Sequence, residues 1–236
     1  MTYDEILEHY ERHDAAIPYV YIRRGKGLKP RLGPNAKLLV TFATHNNGSR
    51  YAALATMYGK TDYDVLAFRD PTNRFYLGEN LGADIGRIIA RRTRPYDPAN
   101  VVAFGSSMAG YAALRWGLRH GFNCVVNNPQ LDLDGSLPHA WPELANNIRK
   151  IPSRDRVVDH VATDAESAIV CLHGRHPMDL FNMTALLDIY MAQPRLSLMV
   201  EHYKDAAHNY MIRDFPHFDQ LIRMALDMRR LKASAD

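Results

Sequence analysis

From residue 38 onward, short apolar runs alternate with longer stretches that are apolar on one side only. The runs at 38–42, 64–68, 101–104, 124–126, 168–172 and 196–200 are dense in Val, Ile, Leu, Phe and Ala. They are bounded by polar, Gly- or Pro-bearing segments, the pattern of strands buried on both faces. Between them, helical spacing appears at 49–58, 82–94, 108–118 and 183–191. Ile85, Ile88 and Ile89 mark one inward face, and Pro95 stops that helix. Phe215, Phe218, Leu221, Ile222, Ala225, Met228 and Leu231 form a C-terminal amphipathic helix. Ahead of this region, Tyr3, Ile6, Leu7 and Tyr10 predict a leading helix over 3–13, residues 19–22 a strand, and 24–37 a loop.

Strand–helix alternation predicts an α/β fold with a mostly parallel central sheet and helices on both faces. One domain over 1–236 accounts for the length. Residues 135–167, with Pro138, Trp141, Pro142 and Pro152 and weak periodicity, are expected to form a small lid or insertion. In such sheets chemistry gathers in the loops at the carboxyl ends of the strands.

Composition narrows the function. The formal net charge is +3 and the arginines are scattered, without a basic stripe interleaved with aromatics, which argues against a nucleic-acid partner. The polar, acidic start and the lack of an apolar run near ~20 residues predict neither a secretory signal nor a membrane span, and a cytoplasmic location. Cys124 and Cys171 lie in apolar runs and read as small buried thiols. Neither G-x-G-x-x-G nor G-x-x-x-x-G-K-[ST] occurs, so dinucleotide and P-loop chemistry lack their motifs.

The chain is organised around the corner at 101–114. A buried strand runs into Gly105-Ser106-Ser107-Met108-Ala109-Gly110, and a helix follows at once. Small residues on both sides of Ser107 let strand and helix backbones pass closely while its side chain is pushed outward. Backbone N–H groups at the helix start then face a developing oxyanion. This stretch resembles the nucleophile elbow of the α/β-hydrolase superfamily, G-x-S-x-G, with Ala109 in place of the second glycine.

The resemblance implies a Ser-Asp-His order and little or no cap. A serine hydroxyl is a weak nucleophile and needs a base that is itself oriented. His208, after the last strand and before the last helix, matches the position of the base. Asp179, in the loop after the strand at 168–172, matches the acid, with Asp132 and Asp134 as rivals. Met108 supplies one expected oxyanion donor, and Thr44 or Ala43 the other. His45, Asn128, Gln130 and His176 read as polar lining of the site, and 73–77 adds aromatics suited to a sugar. His173, His176 and His202 are too weak a set to predict a metal.

The expectation is thus a serine esterase needing neither metal nor organic cofactor. Its substrate would be a small-molecule or glycan ester, a choice supported by a fainter resemblance to hydrolase-like proteins of bacterial glycan and polysaccharide metabolism. That second resemblance rests on 68–71, the elbow and the turn at 128–130. Acyl transfer on the same three residues, or a non-catalytic binding or assembly role, are the alternatives, and no oligomeric state is assigned.

Overall fold

The computed structural model of the chain describes residues 1–23, 35–45, 47–78 and 80–234. The expected loop at 24–37 falls mostly outside them. Eight strands form one sheet: β1 (Glu11–Arg12), β2 (Tyr19–Ile22), β3 (Leu38–Phe42), β4 (Asp64–Phe68), β5 (Val101–Ser106), β6 (Asn123–Asn127), β7 (Ala168–His173) and β8 (Ser197–His202). Their order is β1-β2-β4-β3-β5-β6-β7-β8, antiparallel for the first two pairings and parallel from β4 to β8.

Eight α-helices accompany the sheet among the described residues. They are α1 (Tyr3–Tyr10), α2 (Leu54–Lys60), α3 (Leu81–Thr93), α4 (Met108–Arg119), α5 (Leu133–Ser136), α6 (Pro142–Arg149), α7 (Pro177–Ala192) and α8 (Phe215–Ala233). Strand side chains alternate between two cores, as the pleat requires. Leu38, Val40, Phe42, Val101 and Ala103 face α3, α4, α6 and α7. Leu39, Val102 and Phe104 face α1, α2 and α8. None of the helices among the described residues is long and apolar enough to cross a membrane.

The leading helix stops at Tyr10, short of the 3–13 expected, and β1 follows it; three further boundaries differ for local reasons. The helix expected at 49–58 begins at Leu54. Residues ahead of it are held by distant side chains instead: Arg69 donates to Ser49 O, Tyr51 N to Tyr3 Oη (2.8 Å), and Tyr51 Oη to Glu11 (2.7 Å). The helix expected at 183–191 begins at Pro177, where proline occupies a first-turn position that needs no N–H. The strand of the corner continues through Ser106.

The segment 133–160 resolves into α5, α6 and short 3-10 turns. Leu144, Ile148, Ile151 and Val157 are fully buried, each contributing about 1.5–3 kcal/mol. Its far end is stapled to α4, where Arg115 pairs with Asp155 (3.1 Å) and Tyr111 Oη donates to Asp155 O (2.9 Å).

Candidate active site

At the β5–α4 corner Ser107 adopts φ 54, ψ −120, a left-handed conformation that a non-glycine residue takes only under constraint. The constraint is visible. Ser107 N donates to Asn127 O (2.9 Å), while Ser107 O accepts from Gly110 N (2.9 Å) and Tyr111 N (3.2 Å). The hydroxyl is thereby aimed at the loop after β8. There, Ser107 Oγ and His208 Nε2 lie 2.8 Å apart. On the other side of the ring, His208 Nδ1 lies 2.5 Å from Asp179 Oδ1. With a neutral imidazole, Nδ1–H donates to the carboxylate and Nε2 accepts from the hydroxyl.

Asp179 sits in the first turn of α7, inside the helix and not in the loop ahead of it. It is 3% exposed, and its Oδ2 has no hydrogen-bond partner among the described residues. The rival acids are occupied elsewhere. Asp132 caps α5 by accepting from Gly135 N (2.9 Å), and Asp134 pairs with Arg154 (2.5 Å).

Met108 is the first residue of α4, so its N–H has no acceptor within the helix. From the turn after β3, Ala43 is corrected: its N–H donates to Phe68 O (3.0 Å), continuing the β3–β4 ladder, and is not free for an oxyanion. Of the two residues expected from this turn, Thr44 remains as a candidate donor. Its hydroxyl donates to Ser106 O (2.7 Å), tying the turn to the corner.

Two lining residues are also corrected. Asn128 is 1% exposed and both ends of its amide are engaged with protein. Gln130 is fully buried, with Nε2 against Met178 Sδ (3.5 Å). Phe75 and Tyr76, expected as aromatic lining, are fully buried core residues, and Tyr76 Oη donates to Ala43 O (2.7 Å). Their loop is instead organised by buried Asp70, which accepts from Thr72, Arg74 and Tyr76 N–H groups.

His45 and His176 do lie by the site. The Asn147 amide of α6 donates to His45 Nε2 (2.5 Å), and burial holds the His45 ring below the usual histidine range. His176 caps α7 and packs its ring 6.1 Å from that of His208. A residue not foreseen joins them: the Trp141 ring lies 5.4 Å from His208 and 6.5 Å from His176. The weakly periodic segment therefore brings Trp141 against His208. The rings of His173 and His202 lie 4.8 Å apart and tilted, and among the described residues no three His, Cys, Asp or Glu side chains gather to hold a metal.

No protein-family model matches this chain, and no curated protein matches it. Solved structures do. The capsule O-acetyltransferase of Neisseria meningitidis serogroup A matches with TM-score 0.66 at 16% identity, over 92% of this chain and 93% of that one. An esterase matches with TM-score 0.66 at 13% identity, over 95% and 80%. The acylaminoacyl peptidase of Pyrococcus horikoshii matches with TM-score 0.58 at 14% identity, over 93% of this chain and 40% of that one. The chain has the α/β-hydrolase fold. Identities this low speak for the fold alone, so the chemistry must be argued from the residues.

Within the α/β-hydrolase frame, Asp179 carries a testable trade-off. A buried carboxylate with one oxygen unpartnered costs stability, while its other oxygen holds the His208 ring at Nδ1. Asp179→Asn is expected to lower kcat by about 10⁴-fold, through the wrong imidazole tautomer and the lost charge. Its melting temperature should equal or exceed that of the parent, which thermal unfolding followed by circular dichroism checks.

Proposed function

We propose that this protein is a serine esterase acting through an acyl-enzyme. The observation that carries the reading is the hydrogen-bonded run from Ser107 through His208 to buried Asp179. Ser107 Oγ attacks the ester carbonyl carbon as His208 Nε2 takes its proton. The N–H groups of Met108 and Thr44 receive the oxyanion. Collapse of the tetrahedral intermediate breaks the ester C–O bond, and the departing alcohol oxygen takes the proton from His208. Water then repeats the sequence on the acyl-enzyme, releasing the acid and restoring Ser107. Asp179 holds the ring with Nε2 towards the serine.

The alcohol side of the ester is assigned to a carbohydrate. Trp141 and His176 flank His208, and the departing alcohol must lie beside that base, so a sugar there would meet aromatic rings.

One observation favours acyl transfer to an acceptor as a second reading. The Neisseria capsule O-acetyltransferase matches along nearly the full length of both chains, and that protein has also been solved with CoA bound. The test is incubation with an aryl acetate and an O-acetylated monosaccharide, with and without excess unacylated sugar. Intact mass identifies the acyl-enzyme. Free acetate as the main product supports the esterase. New sugar ester formed at the expense of acetate assigns the transferase. A folded protein that acquires neither an acyl group nor a fluorophosphonate label at Ser107 overturns both.

A further inference from the structure

We propose that Asn127 and Asn128 are positioning residues that together set the place of His208 between Ser107 and Asp179. The inference rests on the proposed serine-nucleophile chemistry for its kinetic consequence, and on hydrogen bonds alone for its geometry.

Residues 203–214, which carry His208, contain neither helix nor strand. Part of the loop's shape is internal: Ala207 N and Asn209 Nδ2 donate to the two oxygens of Asp205 (2.9 and 2.8 Å). Those bonds shape the turn but do not locate it against the sheet. Arg175 N donates to Asp205 O (2.6 Å) and Tyr203 N to His173 O (2.9 Å), which ties the start of the loop to the end of β7, while the end of β6 holds the stretch around the base. Asn127 Nδ2 donates to Asn209 O (3.2 Å) and to Ser106 Oγ (3.1 Å), and Asn127 Oδ1 accepts from Met211 N (2.8 Å). Asn128 Nδ2 donates to the same Asn209 O (2.7 Å), and Asn128 Oδ1 accepts from Gly174 N (2.9 Å). The residue following the base thus has its carbonyl held by two buried amides.

Their backbones are anchored as well. Asn127 O accepts from Ser107 N (2.9 Å), and Asn128 N donates to Leu172 O (2.8 Å). Asn127 therefore joins the elbow to the histidine loop, and Asn128 joins the histidine loop to the loop that leads into Asp179. Both side chains are at most 1% exposed, so neither amide exchanges these partners for water. Asparagine suits the second place twice over, because Asn128 has φ 43 and asparagine tolerates that region. The amide offers a donor to the carbonyl and an acceptor to the Gly174 N–H on two separate atoms of one short side chain.

The test compares Asn127→Asp, Asn128→Asp and Asn128→Gly with Asn123→Ala. The aspartates keep the shape but replace a donor by an oxygen facing Asn209 O. Asn128→Gly accepts the positive φ and removes only the amide. Asn123 is an internal control: fully buried at the opposite end of the same strand, it bridges Ala99 O (2.9 Å) and Ala168 N (3.1 Å), far from the loop. Two signals are read at a temperature where circular dichroism shows each variant folded. One is kcat and KM on a small aryl ester. The other is the downfield proton of His208 Nδ1–H, assigned by its loss in His208→Ala, which needs no substrate.

The expected result is a fall in kcat of about 10–100-fold with KM within about twofold, as misplacement of a catalytic group produces. The downfield proton should also be lost or shifted in the Asn127 and Asn128 variants. Asn123→Ala should lose stability and keep both signals. If either aspartate variant fails to fold, Asn128→Gly decides. Asn127 and Asn128 variants that behave as Asn123→Ala does would overturn the proposal, and so would a folded parent without the downfield proton. A parent that shows the proton but neither turns over nor labels defeats the proposed serine-nucleophile chemistry, and the proton signal then judges the clamp by itself.

Discussion

Ser107→Ala should abolish fluorophosphonate labelling and lower kcat/KM on an ester by about 10⁴–10⁶-fold, leaving only what binding and the oxyanion donors supply. The change in stability should be small by comparison. Alanine keeps the Cβ, so the strain at φ 54 is retained and the Asn127, Gly110 and Tyr111 contacts to the Ser107 backbone are untouched. What is lost is one hydrogen bond to His208, from the hydroxyl of a residue that is buried. Its net worth is about 0.5–1.5 kcal/mol. His208→Ala should fall to a similar activity, because nucleophile and base act as a unit and their losses do not add. The double variant should be no worse than either single one. Steady-state kinetics with active-site titration decides the matter. Turnover within tenfold of the parent in Ser107→Ala would assign the reaction to another group.

Much of this arrangement was legible in the sequence because burial writes a periodic signal. The strands from β3 to β7 are buried on both faces, so each appears as a run, whereas β8 at the sheet edge is only partly buried; the corner at Gly105–Gly110 needs small residues that few other places require. The order Ser107, Asp179, His208 could be read because strand–helix alternation counts off the loops. What escaped reading depended on contacts between distant segments. Asn128 and Gln130 looked like lining because a sequence does not say which way a loop amide points, and here the amides point inwards. The choice between Ala43 and Thr44 needed the β3–β4 register, in which Phe42 opposes Phe68 and the next N–H continues the ladder. The start of α7 was hidden because its sequence is apolar on nearly every side, with Leu180, Leu187 and Met191 exposed, so no stripe marks its first turns. Trp141 had only one local signal, its place just before Pro142 at a helix start.

The glycine of the elbow is the position where the fold tolerates least. A Cβ built on Gly105 would lie 2.0 Å from Ala109 O, 2.3 Å from Ala109 C and 2.8 Å from Gly110 N, all backbone atoms of the first turn of α4. That turn is closed by bonds from Gly110 N and Tyr111 N to Ser107 O, so it cannot retreat without moving the nucleophile. Nor is there room behind it, because a Cβ on Gly110 would meet Pro129 Cα at 2.8 Å, in the turn that follows Asn128. Strand β5, helix α4 and the turn after β6 are thus stacked backbone on backbone. Gly105→Ala is expected to cost more than about 3 kcal/mol, at or beyond the upper end of ordinary overpacking. For a chain of this length that corresponds to a fall in melting temperature of at least about 6–12 °C. The fraction that still folds should label poorly, since relief of the clash displaces Ser107. Ala109→Gly gives the contrast. Restoring the second glycine of G-x-S-x-G relieves no clash and weakens α4 by about 1 kcal/mol, the ordinary helical cost of glycine. A Gly105→Ala protein that melts within 2 °C of the parent and labels at its rate would mean that the close approach at the elbow is not a feature of the molecule. The strain assigned to Ser107 would then have to be given up with it.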